Sequence, residues 1–214
     1  MKVYMIRHGA TKGNKEHRYV GVTDELLLQE SKQLLEKKQL PFVARVYASP
    51  RKRCLETAAI LYPGCQPIIK ESLAECDFGE FEYCNYEELN GNPYYQKFID
   101  SMGRSGFPKG EDRDSFQKRV VKGFSGIMEE EKHTQNEDIA FVVHGGTIMA
   151  VLDFYCGTYG RQAAEYCQDN NGKDIRDSAE FYKWQVENGE GYMFYVGWEK
   201  EREGFLLKNL RKIT

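Results

Sequence analysis

Nowhere in the 214 residues does an apolar run approach the roughly 20 residues that a membrane-spanning helix needs. The first such run is broken by Arg7 and His8 after four residues, which argues against a secretory leader. Neither sign of charge dominates: 30 Lys and Arg stand against 33 Asp and Glu, a net charge of -3. No global field would therefore recruit nucleic acid or an anionic membrane, and anion binding has to come from local clusters. Two are present, Lys12, Lys15, His17 and Arg18, and then Arg51, Lys52 and Arg53. The six cysteines include no C-x-x-C pair, which excludes the usual zinc and thioredoxin motifs and leaves reduced thiols in a cytoplasmic protein as the expectation. Repeats, low-complexity tracts and linkers are also lacking, so one domain over residues 1–214 is expected.

What is present starts with MKVYMIRHGAT. Val3, Tyr4, Met5 and Ile6 predict a buried strand with Arg7, His8 and Gly9 at its C-terminal end, where open α/β sheets bind their ligands. Apolar periodicity predicts a helix over 25–39 capped by Thr23 or Asp24, a strand over 45–49, a helix over 52–61 stopped by Pro63-Gly64, and a strand over 67–70. Short helices are expected at 86–89 and 94–102, and a long one from Asp112 or Asp114 to 131. IAFVV, within 138–143, is the most apolar strand and should be central; it leads through His144-Gly145-Gly146 into a helix over 147–156. Residues 159–178 read as a helix and a polar loop, 181–187 and 192–198 as a hairpin around Asn188-Gly189, and the charged tail as a short terminal element. Strands alternating with helices predict an α/β layered sheet.

Two of the four histidines, His8 and His144, follow apolar strands in the same way, each with glycine after it. If both strands are central and parallel, both imidazoles project from one sheet edge, beside glycines that let backbone N–H groups approach an oxyanion. His17 and His133 lie on polar segments and read as surface residues.

Five ordered blocks carry a family resemblance: Arg7-His8-Gly9-Ala10-Thr11 with Asn14 and Gly21-Val22-Thr23-Asp24; Ser49-Pro50-Arg51-Lys52-Arg53-Cys54-Leu55-Glu56-Thr57-Ala58; Leu73-Ala74-Glu75-Cys76-Asp77-Phe78-Gly79; Pro108-Lys109-Gly110-Glu111; and Phe141 to Gly146. The chain resembles the histidine phosphatase superfamily. The resemblance implies a three-layer, phosphoglycerate-mutase-like α/β fold, with a mostly parallel central sheet, helices on both faces and a cap or insert around 83–109. It implies His8 as nucleophile, forming a phosphohistidine. Arg7 and Arg53 would clamp the phosphoryl oxygens, with His144, the Gly145 N–H and Asn14 as further donors and Gly21 in the binding loop. Arg53, not Arg51, matches the family's arginine by its place before Cys54 and Thr57; Arg51 reads as a rim or surface residue.

Glu75 is the implied general acid and base, with Asp77 its near competitor on chemistry alone. Glu111 would orient site residues. His8, His144 and Glu75 match no metal-ligand spacing and adjoin arginines, so neither metal nor cofactor is expected. Ala10, where the family often has an acidic or polar residue, and Tyr83, where it often has glycine, depart from the pattern and should affect only the pocket rim. The implied activity is hydrolysis of a small phosphomonoester, with length and compact spacing pointing to alpha-ribazole 5′-phosphate. The alternatives are a phosphoglycerate mutase using the same residues and a non-catalytic phospho-ligand-binding protein. Mutases of the family carry a longer, proline-rich insertion between acid and second histidine; here 68 residues lie between Glu75 and His144, without a proline-rich run.

Overall fold

The structure is a computed structural model that describes residues 1–101, 103, 105–134, 137–156, 181–198 and 204–214; the helix and loop expected at 159–178 lie outside the described residues. Six strands form one mixed sheet in the order β3-β2-β4-β1-β5-β6, with β1 Lys2–Arg7, β2 Arg45–Ala48, β3 Ile68–Ile69, β4 Ile139–Val143, β5 Gly191–Trp198 and β6 Phe205–Ile213. The β3-β2-β4-β1 part is parallel, and β5 and β6 add antiparallel to the β1 edge.

Period-two alternation makes the layers. Val3 and Met5 of β1, with Ile139, Phe141 and Val143 of β4, pack on one face against α5 (Arg113–Glu130) and α6 (Gly145–Cys156), through Phe116, Val120, Phe124, Ile127 and Ile148. Tyr4, Ile6, Ala140 and Val142 face the other way, onto Leu35 of α2 (Gln29–Glu36) and Cys54, Ala58 and Leu61 of α3 (Lys52–Leu61); a single helical turn, α1 (Lys12–Lys15), precedes α2 in the chain. β4 is buried at all five positions because both its faces are covered, which is why it reads as a continuous apolar run. A third cluster, Phe81, Leu89 and Phe98 with Tyr19, Tyr95 and Phe107 against it, packs the segment between Phe81 and Phe107. There α4 (Pro93–Asp100) begins at Asn92, whose side chain accepts from the N–H of Tyr94 and Tyr95, with Pro93 in the first turn. Asp112, rather than Asp114, caps α5 by accepting from Ser115 N at 2.7 Å.

Three elements differ from the sequence expectation, because tertiary bonds or local side-chain-to-backbone bonds win over apolar periodicity. α2 starts at Gln29, not near 25, since Leu28 N donates to Ala10 O and Thr11 bridges Leu27. Asp24 is occupied with Lys52 N, at 2.8 Å. Residues 86–89 form turns instead of a helix, with Asn85 and Glu88 exchanging side-chain-to-backbone bonds. The hairpin is made by β5 and β6, while Phe181–Trp184 is a 3-10 turn. Beyond it, Val186, Asn188 and Gly189 hydrogen-bond the end of β1 and not a neighbouring strand.

Candidate active site

Strand register explains why two histidines far apart in sequence meet. Arg7 lies opposite Val143, and Ala48 opposite Val142, so His8, His144 and Ser49 all emerge at one edge of the parallel sheet. The His8 and His144 rings sit edge to face with centroids 5.1 Å apart. Nδ1 of His8 is 2.7 Å from Gly9 O. A carbonyl only accepts, so Nδ1 carries the proton and Nε2 keeps its lone pair. Burial, reinforced by the charges of Arg53 and Arg7, holds His8 well below its ordinary pKa of 6.5, hence neutral. His144 is lowered in the same way, by burial and then by Arg53. Its Nε2 lies 2.7 Å from Ser49 Oγ, which fixes the ring, and Cys54 Sγ lies 3.5 Å from the same nitrogen.

Both expected arginines are oriented by backbone carbonyls. Arg7 Nη1 donates to Val186 O at 2.7 Å. Arg53, with no exposed surface, donates to Thr23 O at 2.7 Å, Gly21 O at 2.9 Å and Val20 O at 3.1 Å. In each the Nε–H is buried and without a partner. A buried unmet donor costs about 1–3 kcal/mol, more when charged, and an oxyanion accepting from it would remove that cost. Arg51, expected at the rim or surface, is half-buried, and its Nε is likewise unpartnered.

Glu75 accepts from Cys76 N at 2.9 Å and from Gly146 N, in the first turn of α6, at 3.0 Å. Burial raises its pKa above the ordinary 4.5 despite those bonds and the nearby Arg53 and Arg7. Asp77, the sequence competitor, instead caps a turn by accepting from Gly79 N at 2.9 Å. Glu111 accepts two bonds from Arg119, at 2.8 and 2.7 Å, and one from Asp77 N at 3.1 Å; Arg119 also donates to Ser72 O, Ala74 O and Glu75 O. The pair braces the loop that carries Glu75, which is the orienting part expected of Glu111.

Gly146 is constrained by this contact. A Cβ there would sit 2.1 Å from Glu75 Oε1, whereas one on Gly145 would meet Arg7 Nε at an ordinary 3.4 Å. Gly146→Ala is therefore expected to displace the carboxylate and lower kcat about 100-fold, with Gly145→Ala within about 5-fold of wild type; steady-state kinetics on an aryl phosphate checks this. Equal effects at the two glycines would contradict it.

Arg7, His8, Asn14, Glu75, Gly145 and Gly146 line a single cavity of about 220 Å³. Arg53 and His144 stand wholly buried beside them. Gly21 departs from its expected binding role: its N–H donates to Glu82 Oε1 at 2.9 Å and its carbonyl holds Arg53. A Cβ on it would meet Cys76 O at 2.0 Å. It orients an arginine, and its N–H is already committed to Glu82. Beyond the charged end the cavity is walled by rings, among them Tyr19, Phe78, Phe107, Phe116 and Phe181. Among the described residues no group of three or more His, Cys, Asp or Glu could hold a metal ion, and no helix is long and apolar enough to cross a membrane.

Sequence reasoning missed Ser49, Asn188 and Arg119. Ser49 stood at the end of the expected strand over 45–49 and opened the second block with no role assigned to it, and the other two reach the site from elements whose neighbours no local pattern reveals.

Comparison with known proteins gives a family and a fold. The sequence profile of the histidine phosphatase superfamily (branch 1) matches residues 3–176. A Hydrogenobacter thermophilus protein named "Putative phosphoserine phosphatase 2" is 24% identical over 168 residues, 73% of this chain and 79% of its own length. The alpha-ribazole phosphatase of Shigella flexneri superposes with a TM-score of 0.70 at 18% identity, covering 98% of this chain and 96% of that one. The phosphoglycerate mutase of Thermus thermophilus does so at 0.65 and 24% identity, covering 100% and 99%. A profile that spans most of the sequence, together with this shared phosphoglycerate-mutase-like fold, places the chain in the histidine phosphatase superfamily, to which it belongs as a branch 1 member.

Proposed function

We propose that the protein is a phosphomonoester hydrolase working through a phosphohistidine on His8. The observation that carries this reading is the tautomer of His8: Nδ1–H is tied to Gly9 O, so a neutral Nε2 is left as nucleophile, in the cavity that Glu75 also lines. In the first step Nε2 attacks phosphorus and the bond from phosphorus to the ester oxygen breaks. Protonated Glu75 gives its proton to the leaving alkoxide. In the second step Glu75, now a carboxylate, takes a proton from water as that water attacks phosphorus; the phosphorus–nitrogen bond breaks and inorganic phosphate leaves. Arg7, Arg53, His144, Asn14 and the N-terminus of α6 hold the equatorial oxygens as negative charge shifts among them.

The walls favour hydrolysis of an ester with an uncharged, aromatic alcohol. Besides Arg7, the cations among the described lining residues are Arg18 and Arg113. Arg18 already pairs with Glu16 and Glu88, and Arg113 with Asp153 while lying over the Phe181 ring at 4.1 Å. The carboxylate of a phosphoglycerate or of phosphoserine has no uncommitted cation there, so the mutase reading is the weaker one. Stacking on Tyr19, Phe78 or Phe107 suits the benzimidazole of alpha-ribazole 5′-phosphate. In a phosphate-release assay over a panel of monoesters, aryl and benzimidazole-bearing phosphates should exceed 3-phosphoglycerate and phosphoserine at least about 10-fold in kcat/KM. A flat profile would sink the substrate class, and phosphoryl transfer to phosphoglycerate in place of water would restore the mutase reading.

A further inference from the structure

The segment between the 3-10 turn and β5, which orients Arg7 through Val186 O, also grips the strand end that bears the nucleophile. Arg7 Nη1 and Arg7 N donate to Val186 O and Glu190 O, and Gly189 N donates to Arg7 O at 3.0 Å and His8 O at 3.2 Å. Asn188 Nδ2 donates to His8 O at 3.0 Å and to Asn14 Oδ1 at 3.2 Å. Asn14 Oδ1 also faces Thr11 N and Thr11 Oγ1, each at 3.2 Å.

These contacts fix the orientation of two carboxamides without ambiguity. The Thr11 N–H can only donate, so the Asn14 atom facing it is the oxygen. The His8 carbonyl can only accept, so the Asn188 atom facing it is the nitrogen. With the Asn14 oxygen turned to Thr11 and Asn188, its NH2 is the end left for the cavity that Asn14 lines. We infer that Asn188 is a positioning residue: it locks the Asn14 carboxamide with the NH2 toward the phosphoryl group and ties that donor to the backbone of the nucleophile. Had the amide turned over, its oxygen would face the phosphoryl oxygens and repel them. The C-terminal third of the chain thereby joins Thr11 in fixing the polarity of a donor in the first helical turn.

The inference rests on the phosphoryl seat proposed above, and a double-mutant cycle separates the two. Inorganic phosphate binding by calorimetry, and kcat and KM for 4-nitrophenyl phosphate, are to be measured for wild type, Asn14→Ala, Asn188→Ala and the double variant. Asn188→Ala should weaken phosphate binding and raise KM about 10-fold, with kcat changed less. In the Asn14→Ala background the same substitution should cost less than about 2-fold, because the amide it positions is gone. An undiminished cost there, or none in the wild-type background, would overturn the inference. If circular dichroism shows Asn188→Ala unfolded, Asn188→Ser serves in the same cycle: its hydroxyl is too short to reach Asn14. A wild type that binds phosphate but hydrolyses no ester would refute the hydrolase reading, while the cycle in phosphate affinity would still test Asn188.

Discussion

His8→Ala is expected to lower kcat for 4-nitrophenyl phosphate by about 10⁴-fold or more and to abolish covalent labelling of the protein by a phosphate-labelled substrate. The size follows from what remains. The two guanidiniums, with their Nε–H groups unpartnered, are held by carbonyls of Val186, Thr23, Gly21 and Val20, none of which depends on the imidazole. Phosphate affinity should therefore change less than about 10-fold while the chemical step is lost. His144→Ala should behave differently. It deletes one donor to the transition state and should cost about 10²–10³-fold, the usual range for such a group, with labelling slowed but not abolished. Comparable losses of labelling in the two variants would mean that the roles of the histidines are not divided as their hydrogen bonds suggest. His8 is tied to a carbonyl, and His144 to a hydroxyl.

Glu75→Gln should show a dependence on the leaving group. With an alkyl ester, whose alkoxide needs a proton, kcat should fall about 10²–10³-fold. With 4-nitrophenyl phosphate the first step should be nearly unaffected. The second step, which needs a base, should slow, so phosphoenzyme accumulates. The pH profile carries the same assignment. His8 is held below its ordinary pKa of 6.5, so it stays neutral into acid solution, and rate is lost only as pH falls through that lowered value. Glu75 is held above its ordinary 4.5, so it stays protonated further up the scale, and rate is lost as pH rises through that raised value. For an alkyl ester the profile should be a bell with those two limbs, and Glu75→Gln should remove the alkaline one. Asp77→Asn should leave both limbs in place, because that carboxylate holds the Gly79 N–H. An alkaline limb that survives in Glu75→Gln and disappears in Asp77→Asn would reverse the assignment.

Much of this was legible in the residues, for a physical reason. Chemistry placed at strand ends leaves a local mark: an apolar run, then a charged or imidazole side chain, then glycine. Arg7-His8-Gly9 and His144-Gly145-Gly146 both carry it, and parallel register alone brings them together. The choice of Arg53 over Arg51 and of Glu75 over Asp77 came from family spacing, and the geometry gives each a distinct surrounding. Gly21 was misread because its motif position does not say which way its N–H points; Glu82, 61 residues later, takes it. The start of α2 was misplaced because the bonds that hold 24–28 come from Ala10, Thr11 and Lys52. Asn188 looked like a hairpin turn since Asn-Gly between alternating side chains is the strongest local hairpin signal. That β1 needed something to bind its end is a fact of topology, absent from any window of sequence. Arg119 was hidden for the same reason: besides the Glu111 carboxylate it holds the backbone carbonyls of 72, 74 and 75, which have no residue signature.

The most direct test of the account is to quench Glu75→Gln in mid-turnover of phosphate-labelled 4-nitrophenyl phosphate and locate the label. The expected result is near-stoichiometric, acid-labile and base-stable phosphate on the peptide bearing His8, discharged slowly as inorganic phosphate. An acid-stable label, label on any other residue, or turnover with no covalent intermediate would contradict it.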